Sequence, residues 1–113
     1  MKLWIDDVRP APEGYTRSRS VENARLRIQI MEKRGTPFAL IDIDHDAGDF
    51  AVYGGDYIKL LDWLEETGRN YPIRIHSMNP VGVQNMRAII QRNGWTEVRQ
   101  YGMGVSRLPS RGL

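Results

Sequence analysis

Three short apolar segments mark the first eighty residues, and each runs directly into polar side chains. "KLWID" (2–6) enters Asp6 and Asp7, "FALIDID" (38–44) enters Asp44, His45 and Asp46, and "IRIHSMN" (73–79) enters His76, Ser77 and Asn79. "TEVRQYG" (96–102) is a weaker fourth strand candidate. The stretches between them have helical periodicity. Val21, Ala24, Ile28 and Met31 recur at spacings of three and four behind Ser20, an N-cap candidate, and Gly35 stops the run. A second helix is expected to open at Asp56, to bury Tyr57, Leu60, Leu61 and Leu64, and to stop at Gly68. A third has Asn79 as N-cap and Pro80 at its first position, turns Val83, Met86, Ile89 and Ile90 to the core, and ends at Gly94. Strand and helix signals that alternate in this way predict an α/β domain with an open, mostly parallel sheet flanked by helices.

The remaining stretches are irregular. Two prolines and a glycine make 10–14 a loop, and "YTRSR" (15–19) alternates as an edge strand would. "HDAGDFAVYGG" (45–55) reads as a loop that takes in Asp46 and Asp49. The domain is expected to span 1–105, with 106–113 as a C-terminal tail.

Composition narrows the function classes. The chain has 113 residues, 41% of them apolar and 27% charged, which suits one folded domain. A net charge of +2 is too small to argue for a nucleic-acid groove or a membrane surface. The cations are nevertheless thirteen arginines against three lysines, and the planar guanidinium fork matches phosphate and carboxylate oxygens. Cysteine is absent, so disulfides, thiolate nucleophiles and cysteine-bound zinc are excluded. No apolar run approaches a membrane span, and two Asp follow only five residues at the start, so a cytoplasmic setting without a membrane partner is expected.

The chemistry collects at the strand ends, where open parallel sheets bind their ligands. Asp6 and Asp7, with Asp44 from another strand, offer the hard oxygen ligands that Mg²⁺ prefers; the plainer reading has the pair only opening a polar loop. Asp42 shares a strand face with Asp44, one step deeper, where a buried carboxylate needs a cation or a raised pKa; the plainer reading pairs it with an Arg or Lys near the sheet edge. His45 and His76, the only histidines, both fall at strand ends, where they are either structural or an acid and base pair. A helix that begins at Pro80 favours an anion at its N-terminus, with Ser77 in reach of a phosphate oxygen and Asn79 as cap or lining.

"KLWIDDVRPAPEGY", "IDHDAG…GGDYIKLLDWLEE" and "IRIHSMNPVGVQNMRAII" together resemble the cyclic-phosphate processing receiver domain family, with "HSMNPVG" the most specific piece. The resemblance implies a receiver-like, flavodoxin-like fold, with Asp6 and Asp7 as the acidic pair, Asp44 as the central carboxylate and Ser77 at the hydroxyl position. The chain departs from phosphorelay receivers in three ways. It has no Lys in "RQYGMG", "RPAPEG" leaves no room for the usual first helix, and the histidine of "HSMN" is foreign to them. The implied activity is a phosphodiesterase-type hydrolysis of a cyclic phosphate, on a nucleotide or an RNA end. His76, Asp44 and His45 are the catalytic candidates, Ser77, Asn79 and Arg9 would hold the phosphate, and Asp6, Asp7 and Asp44 would hold a divalent metal, Mg²⁺ by expectation. The alternative is a non-catalytic degenerate receiver that binds a phosphoryl ligand or a partner protein. A phosphoaccepting receiver labelled at Asp44 is the least supported.

Overall fold

A computed structural model describes residues 1–99. Its strands are β1 (Lys2–Ile5), β2 (Tyr15–Ser18), β3 (Leu40–Ile43) and β4 (Ile73–Ile75). Its helices are α1 (Val21–Lys33), α2 (Ile58–Glu66) and α3 (Pro80–Asn93), with a short 3-10 helix at Gly48–Tyr53. The strands form one sheet in the order β2-β1-β3-β4, and every pairing is parallel. The expected open α/β sheet is thus present, and "YTRSR" does supply its edge.

Register explains how the sheet divides its labour. Trp4 lies opposite Asp42, and Asp42 opposite Arg74, in one row across three strands. Leu3 and Ile5 align with Ile41 and Ile43, and Ile73 and Ile75 continue those rows. Side chains alternate along a strand, so the aliphatic rows face one way and the row of Trp4, Asp42 and Arg74 faces the other. Leu3, Ile5, Ile41, Ile43 and Ile73 share one core with Val21, Ala24 and Ile28 of α1, Leu60, Leu61 and Leu64 of α2, and Met86, Ile89 and Ile90 of α3. All three helices therefore pack on the aliphatic face. Trp4 is buried but stands outside that core.

Local chemistry sets the boundaries. Ser20 Oγ accepts from the Asn23 amide and Asn79 Oδ1 from the Gly82 amide, so both predicted N-caps form. Gly94 closes α3 at φ 69°, a left-handed cap that favours glycine. α2 begins two residues later than expected because Asp56 turns away: its Oδ1 accepts from the Ala47 amide rather than capping the helix. The 3-10 helix replaces part of the expected loop, since Phe50 and Ala51 pack against the core. The strands at 38–44 and 73–79 shorten to 40–43 and 73–75. Val83 is half-buried rather than in the core. In the fourth candidate strand, Glu97 makes one isolated parallel bridge with Ile73. Residues 100–102 of that candidate and the tail at 106–113 lie outside the described residues.

One ion pair ties α1 to the approach of β4. Arg69 grips the Glu32 carboxylate through Nε and Nη2, and the Tyr71 hydroxyl donates to it as well. The Arg69 hydrogen bonds hold the Glu32 carboxyl below the usual range against an opposing effect of burial, with Tyr71 adding to them. A carboxylate of lowered folded pKa stabilises the fold above its unfolded value and stops doing so as pH falls through the folded one. Glu32→Gln should therefore cost about 1.5 kcal/mol at neutral pH, and urea denaturation should show the gap closing below about pH 4.

Candidate active site at the carboxyl ends of the strands

The site is built on His76, which follows β4 directly. Its Nδ1 lies 2.7 Å from Asp42 Oδ1 and its Nε2 lies 3.0 Å from Asp6 Oδ2. The ring stacks on Trp4 at 3.8 Å between centroids with the planes 3° apart, and only 5% of the side chain is exposed. A neutral imidazole has one N–H and one lone pair. If Nδ1–H donates to Asp42, then Nε2 and Asp6 Oδ2 face each other as two acceptors. A positive charge belongs between them, either a second ring proton or a metal ion.

Asp42 is fully buried in the middle of β3, and its partners explain how that is tolerated. Arg74 Nη1 contacts its two oxygens at 3.1 and 3.3 Å, and the Tyr15 hydroxyl donates at 3.0 Å. With His76, each carboxylate oxygen is satisfied. The expected cationic partner is therefore Arg74, one strand over.

Asp6 is also fully buried, at the first position beyond β1. Its Oδ1 accepts from the backbone amides of Val8 and Arg9, both at 2.9 Å, which turns the chain sharply after the strand. Burial alone pushes its carboxyl up, but those two amides and His76 outweigh it and leave the pKa lowered. Asp44 follows β3, with 13% of its side chain exposed, and its Oδ1 accepts from the His45 amide. Arg9 spans the two acids: Nε lies 3.2 Å from Asp6 Oδ2 and Nη2 lies 3.4 Å from Asp44 Oδ2. One ligand atom from each of Asp6, Asp44 and His76 falls within 4.8 Å of the others, a spacing that suits a metal ion.

The other expected residues stand around this centre. Asp7 lies against Gly48 rather than in the group of three. It still contributes to the local field. Burial first, then the charges of Asp7, Asp6 and Asp44, raise the Tyr57 hydroxyl above its usual range, with Arg17 offsetting in part. His45 sits over the first turn of α3, where a Cβ on Gly82 would overlap its ring, and its Nδ1 is 2.8 Å from Asp46 Oδ1. The two histidines thus face different carboxylates, Asp42 and Asp6 for His76 and Asp46 for His45. Ser77 Oγ accepts from the Asn79 amide, and Asn79 caps α3, so both shape the β4–α3 turn.

A family model described as Cyclic-phosphate processing Receiver domain matches residues 1–92. The chain belongs to that family. No curated protein and no solved structure matches it significantly. The matched span of this receiver domain contains every residue of the site, from Trp4 and Asp6 through Asp42 and Asp44 to Arg74 and His76. No described helix is long and apolar enough to cross a membrane.

Sequence reasoning passed over Trp4, Tyr15 and Arg74. A signal for two of them was present: Arg74 precedes His76 by two residues and Trp4 precedes Asp6 by two, so each shares a strand face with a singled-out residue. The energetics separate the two acids of β3. Asp42→Asn removes the buried negative charge that faces Arg74 and His76 and should cost about 3–5 kcal/mol. Asp44→Asn breaks a long contact to a half-exposed Arg9 and should cost less than about 1 kcal/mol. Thermal and urea unfolding of the two receiver-domain variants would check this, and equal losses would contradict the division.

Proposed function

We propose that this receiver domain is a phosphoesterase that opens cyclic phosphates at the carboxyl edge of its sheet. The observation that supports it most is the convergence of Asp6, Asp44 and His76 from three neighbouring strands, with Arg9 spanning both acids. The donor set fits a divalent cation. Asp42 takes the Nδ1–H of His76 and leaves Nε2 for the ion, the usual arrangement behind a ligating histidine. An imidazole among the ligands suits Zn²⁺ or another transition ion better than Mg²⁺, whose preferred donors are all oxygen. When bound, such an ion polarises a phosphoryl oxygen as a Lewis acid.

The chain's own residues divide the remaining work. Arg9 is 45% exposed and held by two long contacts, so its planar fork is available to exchange a carboxylate for phosphate oxygens. His76 is walled in by Asp6, Asp42 and Trp4 and acts as a ligand and charge anchor. Water adds to the phosphorus as the P–O bond to the ribose breaks, and the transfer of the water's proton to the departing ribose oxygen falls to His45, whose Nδ1 is fixed by Asp46 and whose Nε2 has no partner among the described residues. Ser77 and Asn79 hold the β4–α3 turn in place beside the phosphate.

A panel of 2′,3′- and 3′,5′-cyclic nucleotides and cyclic-phosphate-ended RNA, each with Mg²⁺, Mn²⁺, Zn²⁺ or EDTA, tests the reading. Turnover is expected with a transition ion and not with EDTA. Asp44→Asn and His45→Ala should each lower it about a hundredfold or more while the melting temperature holds. Undiminished turnover by both variants would sink the assignment.

One observation favours a binding-only module: both nitrogens of His76 already face carboxylates in a buried setting. That reading predicts calorimetric binding of a cyclic nucleotide with no product by chromatography, with or without metal.

A further inference from the structure

A groove of about 380 Å³ opens where the end of β2, the first turns of α1 and the 3-10 helix meet. Arg17, Arg19, Arg27, Asn23, Phe50 and Tyr53 line it, and none of its lining residues is acidic. The Phe50 and Tyr53 rings stand 6.3 Å apart at 46°, and the Arg19 guanidinium lies 6.0 Å from the Phe50 ring centre. Asn23 Oδ1 accepts from Ser18 Oγ and Arg27 Nε, which fixes both side chains and leaves the side-chain NH2 of Asn23 without a partner among the described residues.

Arg17 joins this groove to the acid site. Its Nε donates to the Asp6 carbonyl at 3.2 Å, while its Nη2 is buried without a hydrogen-bond partner among the described residues. A buried donor left unpaired costs on the order of 1–3 kcal/mol, so an acceptor belongs there. An acidic peptide or a bare anion would use the guanidiniums and ignore the rings. A nucleotide uses both, with its base on the aromatic pair and its oxygens on the arginines.

We infer that this groove seats the nucleoside portion of a nucleotide ligand, free or at an RNA end, beside the Asp6–Asp44–His76 centre. The link to a cyclic phosphate rests on the function proposed above; the groove's preference for a base does not. Isotope-labelled protein titrated with adenosine 5′-monophosphate, adenosine 2′,3′-cyclic phosphate, ribose 5-phosphate and a short RNA ending in a 2′,3′-cyclic phosphate separates the two. Both nucleotides should shift the amide resonances of Ser20, Asn23, Phe50 and Tyr53, and ribose 5-phosphate should leave those of Phe50 and Tyr53 in place. Tyr53 is half exposed, so Tyr53→Ser should leave the fold intact. It should weaken nucleotide binding about tenfold and leave ribose 5-phosphate binding unchanged, whereas Arg27→Gln should weaken both. Tighter binding of the RNA with a steep salt dependence identifies an RNA end as the source, and equal binding identifies the free nucleotide. Wild-type nucleotide affinity in both variants, or shifts confined to Asp6, Asp44 and His45, would overturn the inference. Failure of hydrolysis alone would defeat the catalytic reading and leave the chemical-shift result standing.

Discussion

The hydrogen bond between Asp42 and His76 is the constraint around which the polar half of the molecule is arranged. A carboxylate at the centre of a sheet is expensive unless its charge is matched and its lone pairs are met. Here the match comes from two strands: Arg74 and His76 from β4 and its exit, and Tyr15 from β2. Once Asp42 holds Nδ1, the ring of His76 can turn only so as to lie flat on Trp4 and present Nε2 to Asp6. Asp6 in turn gathers the amides of Val8 and Arg9 and brings the Arg9 guanidinium over Asp44. A single buried acid thus fixes the orientation of a histidine, and through it the order of the first loop.

That loop has an unusual task. Parallel neighbours are ordinarily joined by a crossover of a dozen or more residues, with a helix in it. β1 and β2 are parallel neighbours joined by residues 6–14 alone. The turn at Asp6, the prolines at 10 and 12, and the bond from Trp4 Nε1 to the Arg9 carbonyl keep this short return close to the sheet. The missing first helix was legible because "RPAPEG" cannot form one. Its consequence for the sheet was not, since no local pattern says which face a missing helix would have covered.

The strands show most clearly what was readable and what was concealed. Reading 2–6, 38–44 and 73–79 as apolar runs ending in polar residues placed the strands correctly in outline. It hid a stricter alternation: Leu3 and Ile5, Ile41 and Ile43, and Ile73 and Ile75 on one face, against Trp4, Asp42 and Arg74 on the other. Asp6, Asp44 and His76 continue the second series by one step. Asp42 looks anomalous only if both faces of the sheet are presumed to be covered. The caps at Ser20 and Asn79 were legible because they are local. The partnerships of Asp42 with Arg74 and of His76 with Asp6 were not, because they depend on which strands become neighbours.

Sheets whose two faces are both covered carry near-continuous apolar strands, and ligands reach them only at the loop ends. This sheet has all three described helices on one face, so its other face can carry ionisable groups along the strands as well as beyond them. The site therefore has depth. Arg9 and Asp44 stand at the rim, Asp6 and His76 lie below them, and Asp42 with Arg74 forms the floor. Depth matters because buried charges are screened less than those at a surface. The rim can then exchange one ligand for another while the floor, paired and inaccessible, keeps the imidazole in its place.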